Sequence, residues 1–190
     1  MLTVTVNELP SWIKLAAKSK NNILVVGDPG VGKSQVIGSL ENENCKVTMM
    51  TGSSTIEEYV NGIPTPDSMK FGDQDIRVLK YVAPQWFADM MAWQSEHPDG
   101  KQILFLDEFN TADPQVLKTF LTILTERKIP TLGMSLPDSC VIVAAMNPQD
   151  QNEGEPLIRP MASRFMTLKI AAGVDVYRGF LKGNTPTVSG

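Results

Sequence analysis

Residues 27–34 read Gly27-Asp28-Pro29-Gly30-Val31-Gly32-Lys33-Ser34. They fit the pattern G-x-x-x-x-G-K-[ST], in which glycines let the backbone turn tightly and point its N–H groups inward. The apolar run at residues 23–26 precedes this stretch, and we predict a helix at residues 33–40. This order predicts a loop that holds phosphate oxygens at a helix N-terminus, with Lys33 reaching the β- and γ-phosphates and Ser34 binding Mg²⁺.

Four more apolar runs lie at residues 47–50, 103–106, 141–145 and 166–170. The first three, like residues 23–26, are short and mostly unbroken, which is typical of strands buried on both faces of a parallel sheet. The last run alternates like an edge strand. Helices are predicted between the runs, at residues 33–40, 84–94 and 114–127, the last with Asp113 as its N-cap. Strands that alternate with helices predict an α/β fold.

Glycine and proline interrupt two longer stretches, residues 51–81 and 128–139. We interpret both as loops or short hairpins on one rim of the sheet, where binding functions concentrate. Tyr59, Phe71 and Tyr81 could bind a partner there, or could simply pack the long loops.

Two carboxylates, Asp107 and Glu108, follow the run at residues 103–106, at the end of the strand where parallel sheets place their ligand sites. Asp107 is suited to the Mg²⁺ shell, and Glu108 could orient and deprotonate an attacking water. Taken alone, such a pair is typical of a solvated strand cap. Beside Lys33 and Ser34, hydrolysis is the favoured interpretation.

Asn147 follows the run at residues 141–145 and precedes Pro148. In isolation it reads as a residue that caps a turn before proline. Its position at the tip of a core strand favours a hydrogen bond to the γ-phosphate or to the attacking water instead.

The composition sets wider limits. With 190 residues and 42% hydrophobic residues the chain suits one domain, and 17 Lys plus Arg against 21 Asp plus Glu give a net charge of −4. That charge argues against a protein whose main function is to bind the nucleic-acid backbone.

The two cysteines, Cys45 and Cys140, do not form a Cys-x-x-Cys motif of the kind that binds a metal or carries out redox chemistry. Without a signal peptide or a long apolar run, we expect a soluble, cytoplasmic protein.

Three ordered motifs resemble those of the AAA+ ATPases, and within them the MoxR-like or dynein-related branch. They are residues 27–34 as Walker A, residues 103–108 as Walker B and residues 144–148 as sensor 1. Residues 107–112, D-E-F-N-T-A, are similar to this branch's D-E-[IF]-N-[RK]-A, with Thr111 where a basic residue is frequent. Residues 161–165, which end in Arg-Phe, are similar to the stretch that carries the arginine finger. The resemblance covers residues 22–170.

This resemblance implies a P-loop NTPase fold, a three-layer α/β sandwich around a parallel five-stranded sheet of order 5-1-4-3-2. It implies ATP and Mg²⁺ as ligands, with catalytic roles for Glu108, Asn147 and Arg164. It further implies a homo-oligomeric ring, usually of six subunits, that acts on a protein partner. Arg164 would reach the γ-phosphate held by the neighbouring subunit, and Arg159 is the second candidate for that role.

Family members continue into a helical lid, whereas only twenty residues follow Ile170. We therefore expect a nucleotide-binding core at residues 1–170 and a short C-terminal helix or tail at residues 171–190, without a full lid. Either the protein binds nucleotide without that lid, or the chain stops where a longer protein would continue. The leading interpretation is an ATPase that remodels or moves a protein partner. A nucleotide-gated assembly protein with little turnover stays open, and a DNA-associated motor or loader is less favoured because the chain is acidic.

Overall fold

The computed structural model describes residues 2–148 and 163–171 of the chain. Within them the strands are β1 (Leu2–Val4), β2 (Asn22–Val26), β3 (Cys45–Thr51), β4 (Ile63–Phe71), β5 (Gln74–Val82), β6 (Lys101–Asp107), β7 (Lys128–Ile129), β8 (Met134–Ser135), β9 (Cys140–Met146) and β10 (Phe165–Ile170). The α-helices are α1 (Leu9–Ser19), α2 (Lys33–Gly38), α3 (Glu57–Asn61), α4 (Gln85–Glu96) and α5 (Pro114–Glu126). The three predicted helices correspond to α2, α4 and α5, and Asp113 caps α5 by accepting the Gln115 N–H.

The central sheet has six strands in the order β1-β10-β2-β9-β6-β3, and every pairing in it is parallel. Five of these strands are the predicted ones, and they follow the expected order 5-1-4-3-2. The expected count of five was wrong, because β1 adds a strand beside β10. Residues 166–170 were therefore also wrongly interpreted as an edge strand: β10 pairs with β1 on one side and with β2 on the other.

The true edge on the far side of the sheet is β3, which pairs with β6 alone. Most of its residues are half-buried, and Met49 is exposed. The prediction of burial on both faces was therefore wrong for residues 47–50, whereas β2 and β9 are buried along their whole length.

Two helical layers cover the sheet, so the predicted three-layer sandwich is confirmed. Residues alternate along each strand: Leu24 and Leu104 face a core with α4 and α5, whereas Ile23 and Ile103 face a core with α1 and α2. The helix α1 was not predicted. Its buried positions, Leu9, Ile13 and Ala16, have the spacing of one helix face.

The two irregular stretches contain hairpins, as predicted, but the first is longer than expected. Residues 51–81 hold a 3-10 turn, α3 and most of the antiparallel pair β4–β5, and residues 128–139 hold the short pair β7–β8. Separately, no helix in residues 2–148 or 163–171 combines the length and the apolarity of a membrane span.

Candidate active site

The loop between β2 and α2 is shaped by its glycines. Gly30 and Gly32 have φ angles of 77° and 87°, the left-handed region that favours glycine, and a Cβ on either would meet nothing within 4 Å. Gly27 is required for a different reason: it is buried, and a Cβ there would lie 2.9 Å from the Cβ of Ile170. The loop therefore leaves open space beside Gly30 and Gly32, whereas Gly27 packs tightly against β10.

Lys33 is buried at the first turn of α2, and its ammonium is held inside the loop. Nζ donates hydrogen bonds to the carbonyl oxygens of Gly27 and Asp28, and to Oδ1 of Asn147 at 3.3 Å. Burial lowers the pKa of Lys33, while the nearby carboxylates of Asp107, Asp28 and Glu108 act to raise it. One buried cation thus faces three anions.

Ser34 and Asp107 bring the first and second motifs together. Ser34 Oγ donates a hydrogen bond to Asp107 Oδ2, and Asp107 Oδ1 accepts the N–H of Glu108 at 2.9 Å. Within the described residues no group of three His, Cys, Asp or Glu side chains could hold a metal ion. A hydroxyl and a carboxylate suit Mg²⁺, which usually keeps several waters and takes its other ligands from phosphates.

Glu108 is exposed and has a left-handed backbone, with φ 47° and ψ 41°. The hydroxyl of Thr111 donates to its carbonyl oxygen at 2.8 Å, and a Cβ on Gly52 would approach that oxygen to 2.3 Å. Its side-chain Oε2 lies 3.5 Å from the hydroxyl of Ser53. Ser53 therefore lies beside the carboxylate that we predicted to activate water, whereas Gly52 and Thr111 contact the backbone that carries it.

Sequence reasoning did not assign Gly52 and Ser53 to the site. A signal was nevertheless present, since both directly follow β3, and the expected strand order sets that strand beside β6. Strands that are parallel neighbours end at the same rim of the sheet. Gly52 and Ser53 consequently reach Glu108 although more than fifty residues separate them in the chain.

A cleft of about 340 Å³ brings together most of the predicted residues at this rim, although Gly27, Asp28 and Val31 are not among its lining residues. It is lined by Pro29, Gly30, Gly32, Lys33, Ser34, Gln35, Asp107, Glu108, Met146 and Asn147. Three separate strands contribute, since residues 27–34 follow β2, Asp107 ends β6 and Asn147 follows β9. The side chain of Asn147 lies in the cleft beside Lys33, which supports the site interpretation over the turn cap.

Arg164 lies outside this cleft. It precedes Phe165, which pairs with Asn22 at the start of β2, and its carbonyl oxygen accepts a hydrogen bond from the Asn22 side chain. The phosphate loop follows the other end of β2, about 15 Å away along a five-residue strand. Arg164 is exposed at the opposite rim. Arg159 lies outside the described residues, as do residues 172–190 of the expected C-terminal segment.

Comparisons with known proteins show the family and the fold of the chain. The sequence model of the AAA domain, dynein-related subfamily, matches residues 22–165. No curated protein matches the chain. Among solved structures, the fold is similar to that of a candidate ATPase from Cytophaga hutchinsonii, with a TM-score of 0.58 at 16% sequence identity. The similarity covers 94% of this chain and 51% of that one, so the chain spans about half the length of that protein. At this identity the likeness concerns the fold alone.

Proposed function

The chain belongs to the dynein-related subfamily of AAA ATPase domains, and from this premise we propose that it hydrolyses ATP in the cleft between Lys33 and Asp107. The observation that carries the proposal is the convergence of three strand ends: Lys33 and Ser34 follow β2, Asp107 ends β6 and bonds Ser34, and Asn147 follows β9 and bonds Lys33. The loop N–H groups and Lys33 bind the phosphates. The residues proposed to surround the nucleotide are Gly27, Asp28, Pro29, Gly30, Val31, Gly32, Lys33, Ser34 and Asp107.

We propose that Mg²⁺ binds in the cleft because the cleft carries more negative than positive charge. Lys33 faces Asp28, Asp107 and Glu108, and a nucleoside triphosphate adds several more negative charges. Ser34 and Asp107 would hold the ion, which supplies neutralisation of the charge that develops on the phosphate oxygens. The Ser34 hydroxyl and the Asp107 carboxylate already lie within hydrogen-bond distance of each other.

Glu108 is proposed as the general base. It accepts a proton from a water molecule while the water oxygen bonds to the γ-phosphorus and the bond from that phosphorus to the bridging oxygen of ADP breaks. The products are ADP and inorganic phosphate. Asn147 can orient the water or the γ-phosphate with its amide, because its side chain already reaches the cleft.

Arg164 is proposed to act on the nucleotide of a second copy of the chain. Its place at the rim opposite the cleft supports this role, because the side chain cannot serve the cleft of its own chain. A ring, with six subunits as the leading count, provides the required neighbour. The same proposal assigns the chain to the MoxR-like branch. It also divides the chain into a nucleotide-binding core at residues 1–170 and a separate segment at residues 171–190.

The work done by hydrolysis is proposed to be the remodelling of a protein partner. A nucleotide-gated assembly protein with little turnover is the second candidate. The contact between Ser53 and Glu108 favours it, because a hydroxyl bound to the carboxylate competes with the water that hydrolysis requires. A nucleic-acid motor is less favoured, since the chain carries a net charge of −4.

Steady-state turnover of Mg-ATP across a range of protein concentrations tests the proposal. We expect specific activity to rise as subunits associate, and Arg164→Ala to abolish that rise while nucleotide still binds. Lys169→Ala is the matched control, because Lys169 is exposed on the strand that follows Arg164. Specific activity that is independent of concentration, or an equal loss in both variants, would exclude catalysis in trans.

A further inference from the structure

Strands β4 and β5 form a two-stranded sheet of their own. They are joined by Gly72 and Asp73, and Gly72 has a φ of 63°, as the first position of a type II′ turn requires. Almost every residue of the pair is exposed, including Phe71 at 74% and Leu79 at 68%. An isolated hairpin is only marginally stable in water. The large exposed apolar surface of this hairpin therefore indicates a site where a partner binds.

The outer edge of β4 is closed to such a partner. In an antiparallel pair, opposite residues alternate between pairs that exchange both backbone hydrogen bonds and pairs whose N–H and C=O groups point outward. Pro64 and Pro66 have no N–H, so they occupy outward positions. Ser68 is the next outward position, and its N–H already donates to Asp67 Oδ1 at 2.7 Å. Three successive outward positions of β4 therefore offer no donor.

The outer edge of β5 is open to a partner strand, and the same pairing register shows this. Tyr81 lies opposite Pro64, Leu79 opposite Pro66 and Arg77 opposite Ser68. These β5 residues must therefore also direct their N–H and C=O groups outward. Within residues 2–148 and 163–171, none of their outward groups has a hydrogen-bond partner. One edge of the hairpin is thus blocked while the other presents a regular row of donors and acceptors.

The chemistry of the hairpin favours a polypeptide as the occupant. Its charges balance, with three acidic residues and three basic residues, so it has no net attraction for nucleic-acid phosphates. Apolar side chains flank the open edge: Ile76, Leu79, Tyr81 and Val82 are all exposed. Backbone groups on β5 would hold an extended chain, and these side chains would select apolar residues in it.

We propose that the outer edge of β5 binds an extended, apolar segment of a partner protein by β-strand addition. The inference names the partner chemistry for the proposed remodelling activity and rests on that proposed function. Peptide binding is measured without nucleotide and ATP turnover without peptide, so either part can fail while the other stands.

The test compares Arg77→Pro with Ser68→Pro. The two residues lie opposite each other, and each substitution removes one outward N–H, from the open edge in the first variant and from the closed edge in the second. The probe is a fluorescent decapeptide that alternates leucine with threonine between terminal lysines. We expect the wild-type chain and Ser68→Pro to bind it alike, and Arg77→Pro to bind at least about tenfold more weakly. All three should have the same basal ATP turnover.

A second peptide tests the backbone contact without altering the protein. N-methylation of its four central amides removes the donors that strand addition uses, so we expect its binding to be lost. Amide exchange of Arg77 and Leu79 should be fast in the free protein and slow with the first peptide. Equal binding by the two variants, retained binding of the methylated peptide, or no binding by the wild-type chain would overturn the proposal. Loss of self-association in Arg77→Pro alone would also overturn it, by identifying a second copy as the occupant.

Discussion

Lys33 Nζ lies 3.3 Å from Asn147 Oδ1, although 114 positions separate the two residues in the chain. The contact forms because β2 and β9 are parallel neighbours, and the loops that follow them meet at one rim of the sheet. The sheet therefore places a buried ammonium beside a strand-tip amide. Such preorganised donors are an effective way to stabilise charge that develops in a reaction.

Replacement of Asn147 with alanine should reduce turnover more than binding. The amide is expected to orient the reacting groups, whereas the loop and Lys33 supply most of the phosphate affinity. We expect kcat for ATP to fall by about 10²- to 10³-fold with less than about a tenfold change in nucleotide Kd. Steady-state kinetics and equilibrium binding on the same preparation measure the two effects. A loss of affinity as large as the loss of kcat would assign Asn147 to binding alone.

Gly52→Ala should disturb Glu108 through the backbone. The added Cβ would lie 2.3 Å from the Glu108 carbonyl oxygen, so one of the two segments must shift. We expect turnover to fall at least about tenfold with nucleotide binding retained, because a small misplacement of a catalytic group is costly. Gly38→Ala is the control, since its Cβ would make an ordinary 3.8 Å contact with Met49. Comparable turnover in the Gly52→Ala and Gly38→Ala variants would contradict the prediction that Gly52 positions Glu108 through the backbone.

Removal of magnesium should abolish tight nucleotide binding. Ser34 and Asp107 are the two protein ligands that we propose for the ion, so metal and nucleotide are expected to bind together. Titration of ATP by calorimetry, with Mg²⁺ or with excess chelator, measures the dependence. Without nucleotide the protein should show no Mg²⁺ binding at millimolar concentrations. Equal ATP affinity in both conditions would contradict the proposed role of the ion.

Nucleotide affinity should fall as pH rises through the pKa of Lys33. Burial lowers that pKa, so the ammonium loses its charge below the usual 10.5 of a lysine, and the neutral amine no longer attracts phosphate. We expect a loss of at most about tenfold per pH unit as the pH rises through that lowered pKa, in a range where the phosphates are already fully ionised. Lys33→Arg is the control, because arginine stays charged across this range. Parallel profiles for both proteins would exclude Lys33 as the titrating group.

The parts of the fold that bury apolar residues were predictable. The runs that became β2, β6 and β9 are apolar and uninterrupted because both of their faces pack against helices. The strand β1 was missed because three residues carry too little pattern. Residues 63–71 were interpreted only as part of a loop or short hairpin and not as a nine-residue strand, since Pro64 and Pro66 usually interrupt strands and this strand buries almost nothing.

The candidate site was predictable where one local motif carried several residues. Lys33 and Ser34 lie in a single pattern, Asp107 ends a recognisable strand, and Glu108 and Asn147 each directly follow one. Ser53 was missed because its part in the site depends on tertiary adjacency, the pairing of β3 with β6. Arg164 differs from both groups, because its position relative to the cleft could not be predicted from its motif. Its motif was visible in the sequence, yet only the sheet register shows that it lies at the rim opposite the cleft.

Turnover and binding by Glu108→Gln test the central claim most directly. Glutamine keeps the size of the side chain but cannot take a proton from water. We therefore expect Mg-ATP to bind with nearly wild-type affinity while hydrolysis falls at least about 10²-fold. Undiminished hydrolysis with retained binding would contradict the assignment of Glu108 as the base of an ATPase built on this cleft.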